Sequence, residues 1–400
     1  MAEVSAAAAR GAPDTRLRYV DALRAIAAFL VLWLHVGDSF VHLDGAAPLR
    51  GAWLQGVASG VDLGRVGVVA FFLISGFVIP FSMRPSQPAP VRTFLIKRFL
   101  RIFPAYWLSI PFGAATGWWL WGREFGVADF LVNLTLLQDL FGMRAAEGLY
   151  WTLLVEVVFY GLCVGLLLTR SLDRPRRLLA LAAAFGAVYS LALVTHWLGR
   201  PLMGTVAAFW FLNLSIMLCG TLYRQVILDD EPRRDRLARA GTIALLCYYL
   251  VVLPLAAVWA AGFARNATIA YALGMLLFVV GTRFVRIQTR LTDWLGRISY
   301  SVYLFHPVVF MSLLWLLSRQ PAGSWWRTQH LGVYIAVVAV LTAAIAALVY
   351  CWVERPCIRL GHRLARSVQE RAGRARPAAA AGNVSAAGLA PVDSAAPRSS

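Results

Sequence analysis

An arginine and a histidine eleven residues apart in an apolar stretch are the residues of this chain best placed to do chemistry. Arg24 and His35 end the run "RAIAAFLVLWLH". On a helix, eleven residues make three turns plus about 20°, so both side chains leave one face, roughly 16 Å apart along the axis. A cation toward one end suits an anionic ligand. An imidazole toward the other suits a proton acceptor near neutral pH. The bland alternative is an arginine that snorkels to the interface and a histidine satisfied by packing. Ionisable groups inside a span cost about 2.5–3.5 kcal/mol each on insertion scales, so two on one face argue for function.

Further stretches supply partners. "IKRFLRIFPAYWL" sets Lys97, Arg98 and Arg101 at the start of an apolar segment, with Arg98 and Arg101 on one face at i, i+3. They read either as membrane anchorage or as a phosphate site, since guanidinium forks match phosphate oxygens. "LYWTLLVEVVFYGL" carries Glu156, by residue count about as deep as His35, roughly 10 Å from the surface. At that depth the carboxylate is expected to pair with the imidazole as acid and base, or to orient it. "LGRISYSVYLFHPVVF" puts Tyr303 and His306 on one face, and Pro307 frees a backbone carbonyl, which suits a cavity wall. In "GVVAFFLISGFVI", Ser75 and Gly76 favour close helix approach. Glu354 and Arg355 read as an interfacial ion pair. The five cysteines show no CxxC spacing, and no metal site is expected.

The elements that must position these groups are membrane helices. Hydrophobic residues make up 60% of the 400 and charged residues only 14%, where a soluble domain carries roughly a quarter charged. The expected fold is an all-α, polytopic membrane bundle of about ten helices. They are placed near residues 20–41, 66–82, 102–121, 149–169, 178–198, 206–223, 242–261, 267–284, 299–317 and 331–352. The segment 130–141 is too short to span and reads as re-entrant or interfacial. A formal charge of +18 raises nucleic-acid binding, but the distribution excludes it. Of 38 basic residues, 29 fall in the termini and the alternate loops that share their side, and eight in the other loops. That asymmetry predicts both termini in the cytoplasm. Residues 1–15 and 367–400 have compositions that cannot build a core and read as disordered tails flanking a membrane domain over 16–366.

In this order the stretches resemble the acyltransferase-3 family of integral membrane acyltransferases, which modify surface and secreted glycans. The resemblance covers about 18–359. It runs through "RAIAAFLVLWLH", "FFLISGFVI", "KRFLRIFPAYW", "NLTLLQ", "WTLLVEVVFY", "LGRISYSVYLFHPV" and "VERP". It implies a multi-pass protein of the bacterial cytoplasmic membrane, acyl-CoA as co-substrate and no permanently bound cofactor. It also implies the stand-alone form, without an appended esterase-like domain, whose membrane domain binds the acceptor itself. By resemblance Arg24, His35, Arg98, Arg101 and Glu156 fall on functional positions. The expected reaction moves an acyl group, acetyl above all, from cytoplasmic acyl-CoA to a hydroxyl of an extracytoplasmic saccharide or lipid-linked sugar. Lys97, Arg98, Arg101 and Arg24 would hold the nucleotide. His35 would act as general base or be acylated first, with Glu156 beside it. Ser75, Tyr303 and His306 would contact substrate. The rival class is a transporter using the same intramembrane charges as a proton or substrate site, but no repeat or pair of broken helices is visible in the sequence.

Overall fold

The computed structural model describes residues 17–386 except 46, 84, 229–234 and 260–264. The expected tail over residues 1–15 and the last fourteen residues lie outside this range. The described residues form helices and connecting turns, with no strand. In chain order the helices are α1 (Arg18–Phe40), α2 (Trp53–Gly60), α3 (Leu63–Val78), α4 (Pro90–Gly117), α5 (Val127–Asn133), α6 (Tyr150–Leu168) and α7 (Pro175–Trp197). They continue with α8 (Thr205–Leu222), α9 (Arg236–Cys247), α10 (Leu253–Trp259), α11 (Arg265–Arg283), α12 (Arg290–Ser318), α13 (Leu331–Val349) and α14 (Arg355–Ala386). Nine helical segments among the described residues are long and apolar enough to cross a membrane. The chain is therefore an all-α, multi-pass membrane bundle.

The remaining expected span, 102–121, is the second half of α4. Pro90 starts this helix at a position where a missing N–H costs nothing. Lys97, Arg98 and Arg101 thus lie two to three turns inside the helix, not at its first residues. Its lower apolarity, with four cations and Pro104 and Pro111, keeps it from the composition of the other nine. It is nonetheless packed into the bundle through Ile102, Ala105, Tyr106, Ile110 and Ala114.

The segment 130–141 does not span. Its only helix, α5, has seven residues, far short of the roughly 20 a crossing needs. Asn133 stitches the following turns: its Nδ2 donates to Asp129 O and Arg144 O, and its Oδ1 accepts from Ala146 N. Helix α14 departs from the expected disordered tail, continuing past Ser367 to Ala386. Alanine and arginine are strong helix formers, and a first stretch laid against α4 removes the nucleation cost.

The bundle is centred on α1, which lies against α3 and α12, with α4, α8, α11 and α13 around that trio. Close approach explains the choice of small residues. A Cβ on Gly67 would overlap the Ala27 carbonyl of α1, and one on Gly296 would overlap the Asp21 carbonyl. Gly76 and Gly220 meet the backbones of α8 and α3 reciprocally. With no hydrophobic driving force between helices in lipid, such contact is what holds them.

Candidate active site

One side of α1 borders a row of three cavities that share walls. The first, about 410 Å³, lies at the end of α1 nearer the N-terminus and is lined by Asp21, Arg24, Arg101, Arg297, Glu354 and Ile358 among others. The second is narrow, about 90 Å³. Arg24 and Arg101 line it too, with Ser75, Arg98, Glu156 and Tyr300. The third, about 460 Å³, holds His35, Asp38, Asp62 and Arg65. Val68, Thr152 and Tyr303 belong to both the second and the third. At that junction the Thr152 and Tyr303 hydroxyls share a hydrogen bond of 2.8 Å.

The cations differ in how they are held. Arg24 reaches back one turn to Asp21 at 3.4 Å. Arg98 donates to Ser82 Oγ at 2.9 Å, with its guanidinium 5.5 Å from the ring centres of both Phe94 and Tyr160. Arg101 makes no hydrogen bond or salt bridge with any described residue and lines two cavities. Lys97 lines none of the three; its backbone faces Gly361 of α14. The expected grouping of four cations is therefore corrected to three. The reason is helical phase: Lys97 is one residue, about 100°, from Arg98.

His35 is fixed by His306. Its Nδ1 lies 2.9 Å from His306 Nε2, and His306 Nδ1 lies 2.8 Å from Tyr303 O. A carbonyl only accepts, so His306 Nδ1 carries hydrogen and its Nε2, in the neutral ring, accepts. His35 Nδ1 must then donate, which leaves the lone pair of His35 Nε2 free. The rings are 8° from parallel with centroids 5.2 Å apart, as expected of two coplanar imidazoles joined edge to edge. Pro307 completes the device. It has no N–H to give the carbonyl four residues back, which is that of Tyr303, and His306 takes the vacancy. The freed carbonyl was expected to face a cavity; it holds a ring instead. His306 is fully buried and lines none of the three cavities, so the expected substrate contact becomes a positioning role.

Glu156 does not partner His35. It accepts hydrogen bonds from Tyr160 Oη at 2.6 Å and Ser75 Oγ at 3.4 Å, and it faces the middle cavity with Arg24 and Arg101. Counting depth from the first residue of α6 assumed that this helix starts at the membrane surface. Gly148 and Leu149 already line the cavity of His35, so α6 starts at about that depth. Glu156 then sits about 6 Å beyond Thr152 along the helix. Ser75 keeps its cavity position beside Glu156, while the adjacent Gly76 does the packing. Tyr303 lies between the two cavities. Glu354 is buried and accepts from Ser301 Oγ at 2.9 Å, whereas Arg355 is exposed, so the expected pair does not form.

Sequence reasoning overlooked Thr152, the His35–His306 bond and Asp38. Only Asp38 had a signal in the sequence: it follows His35 by three residues and so shares its face. Another overlooked group is Glu147, which is 6% exposed with neither carboxylate oxygen bonded to a described residue. It lies before α6, against Gly113. Burial raises its carboxyl well above the usual range. The folded state therefore binds a proton that the unfolded chain releases above about pH 4.3. Stability falls as pH rises from there through the folded value, by about 1.4 kcal/mol per pH unit. Glu147→Gln cannot ionise, and its detergent-solubilised form should lose less thermal stability than wild type between pH 5 and pH 8. Equal losses would refute this.

The sequence profile of the acyltransferase-3 family, an acyltransferase domain, matches residues 17–352. Nodulation protein 10 of Rhizobium leguminosarum bv. viciae is 27% identical over 85% of this chain and 93% of its own length. Exopolysaccharide production protein ExoZ of Rhizobium meliloti is 31% identical over 78% and 95%. Peptidoglycan O-acetyltransferase OatA of Listeria monocytogenes is 23% identical over 86% of this chain but 56% of its own length. No solved structure matches significantly. With a match across most of its length, this chain belongs to the acyltransferase-3 family and is a membrane-embedded acyltransferase.

Proposed function

We propose that the protein moves an acyl group, acetyl in the simplest case, from cytoplasmic acyl-CoA to a hydroxyl of an extracytoplasmic saccharide or lipid-linked sugar. It does so in the bacterial cytoplasmic membrane, with both termini in the cytoplasm. The observation that carries this reading is the row of cavities along α1, cationic at one end and with an imidazole at the other. Phosphates of the donor meet Arg24, Arg98 and Arg101, where charge-assisted, forked hydrogen bonds are strongest. The narrow middle cavity suits the pantetheine arm, which has no ring to accommodate. The thioester then meets His35.

The reaction balances on one nitrogen. His35 Nε2 takes the proton of the acceptor hydroxyl as its oxygen attacks the thioester carbonyl. The O–C bond forms, the C–S bond breaks, and the proton passes to the departing CoA sulfur. His306 stays neutral throughout, its Nδ1 hydrogen held by Tyr303 O. Tyr303, whose hydroxyl meets that of Thr152 at the junction, can turn its one hydrogen to the developing oxyanion. Two relatives' names, an exopolysaccharide production protein and a peptidoglycan O-acetyltransferase, agree with a glycan acceptor.

The test is a strain lacking the protein. Its surface glycan should keep its backbone and lose the acyl esters that mild alkali releases, as measured by mass spectrometry. Loss of the whole glycan would point to export instead, and unchanged esters would overturn the reading.

A further inference from the structure

The cavity at the His35 end holds a group that proton transfer does not need. Asp38 lies one turn past His35 on the same face of α1, about 4.5 Å further along the axis. Its Oδ1 accepts from Ser59 Oγ at 2.6 Å and from Gln55 Nε2 at 3.1 Å, and Gln55 also donates to Ser59 at 3.0 Å. Its Oδ2 accepts from no described residue, and no salt bridge to a described residue balances its charge. Neutral donors thus pin the carboxylate while one oxygen stays available to the cavity.

Asp62, the other carboxylate of this wall, is already used. Its Oδ1 accepts from Arg65 N at the start of α3, and its Oδ2 accepts from Arg65 Nε at 2.7 Å. Its charge is balanced on the spot. The rest of the wall includes Leu34, Leu149 and the partly exposed Trp151, whose ring meets Phe72 edge-on. An open carboxylate oxygen and an indole on the wall of one cavity are the chemistry that receives a neutral polyhydroxylated ring. Hydroxyls donate to the carboxylate, and the C–H face of the ring lies on the aromatic.

Resting on the acceptor reading above, we infer that Asp38 Oδ2 accepts a hydrogen bond from a hydroxyl adjacent to the one acylated. The cavity therefore takes a neutral sugar ring and rejects a ring bearing a carboxylate or phosphate. Rejection follows from setting an anion against an unbalanced carboxylate. Asp38 determines specificity and orients the acceptor; it takes no proton from it.

The test uses membranes containing the full chain, radiolabelled acetyl-CoA and the membranes' own glycan as acceptor. Methyl glucoside and methyl glucuronide are added as competitors. The glucoside should compete at about tenfold lower concentration than the glucuronide, the size expected from one hydrogen bond to a charged group. Asp38→Asn keeps an Oδ1 for Ser59 and Gln55 but loses the charge. It should weaken competition by glucoside about tenfold, narrow the gap between the two sugars, and leave the KM for acetyl-CoA unchanged. Equal competition by both sugars, competition by neither, or an unaltered gap in the variant would overturn the inference. If Asp38→Asn does not accumulate in membranes, the two sugars on wild type still decide. Should wild type transfer no acetyl group, or His35→Ala transfer normally, the parent reading fails; with both controls sound, only the role of Asp38 fails.

Discussion

His35→Ala, purified as the full chain, is expected to lose acyl transfer by roughly a thousandfold or more while binding acyl-CoA as wild type does. The imidazole lines the third cavity, whereas the cations line the first two, so chemistry and donor binding are separable. Transfer is followed by radiolabel and binding by calorimetry with CoA. Normal transfer by His35→Ala would refute the mechanism, and lost binding would refute the separation. His306 sharpens the test because it acts through His35. His306→Gln can still offer an oxygen to His35 Nδ1–H, whereas His306→Leu cannot. Glutamine should therefore retain much more activity than leucine. If the two variants are equally impaired, or the pH profile of the leucine variant is that of wild type, His306 only fills space.

Arg101→Ala carries the second large effect. This side chain lines both cavities at the donor end and forms no hydrogen bond or salt bridge with a described residue. Arg24 is bonded to Asp21 and Arg98 to Ser82, so part of their donor capacity is already spent. Loss of a charge-assisted contact to phosphate costs about 1.5–3 kcal/mol, so the Kd for acyl-CoA should rise roughly ten- to a hundredfold. Arg101→Lys keeps the charge without the fork and should fall between alanine and wild type. Turnover at saturating donor should change little. An unchanged Kd would remove the phosphate role, and loss of turnover at saturation would move Arg101 into the chemistry.

Helix phase and membrane cost made much of the site legible. The spacing of Arg24 and His35 settles that they share a face, because an α-helix advances 100° per residue whatever surrounds it. Their presence in an apolar run signals function because lipid charges for ionisable groups. The same periodicity pairs Tyr303 with His306 and hides Asp38 in plain view three residues after His35. It failed for Glu156. Residue counting gives depth only from a known starting plane, and α6 begins inside the bundle because the turns of 134–149 fold inward, burying Ala146, Leu149 and Tyr150. It failed for Lys97 too, since a run of cations at successive positions fans around α4.

Hydropathy and helix phase alone establish the all-α membrane architecture, the number of long apolar segments to within one, and the face of α1 that carries Arg24 and His35. These are local properties: hydropathy over about 20 residues and the angle between side chains on one helix. Packing between helices is what makes His35 bond to His306, turns Glu156 toward the arginines, and joins Glu354 to Ser301. Each joins residues distant in the chain, as His35 and His306 are by 271 positions. Such pairings depend on how α1, α3, α6 and α12 rotate and slide against one another. Close backbone contact at Gly67 and Gly296 sets α3 and α12 against α1, and no single helix contains that information.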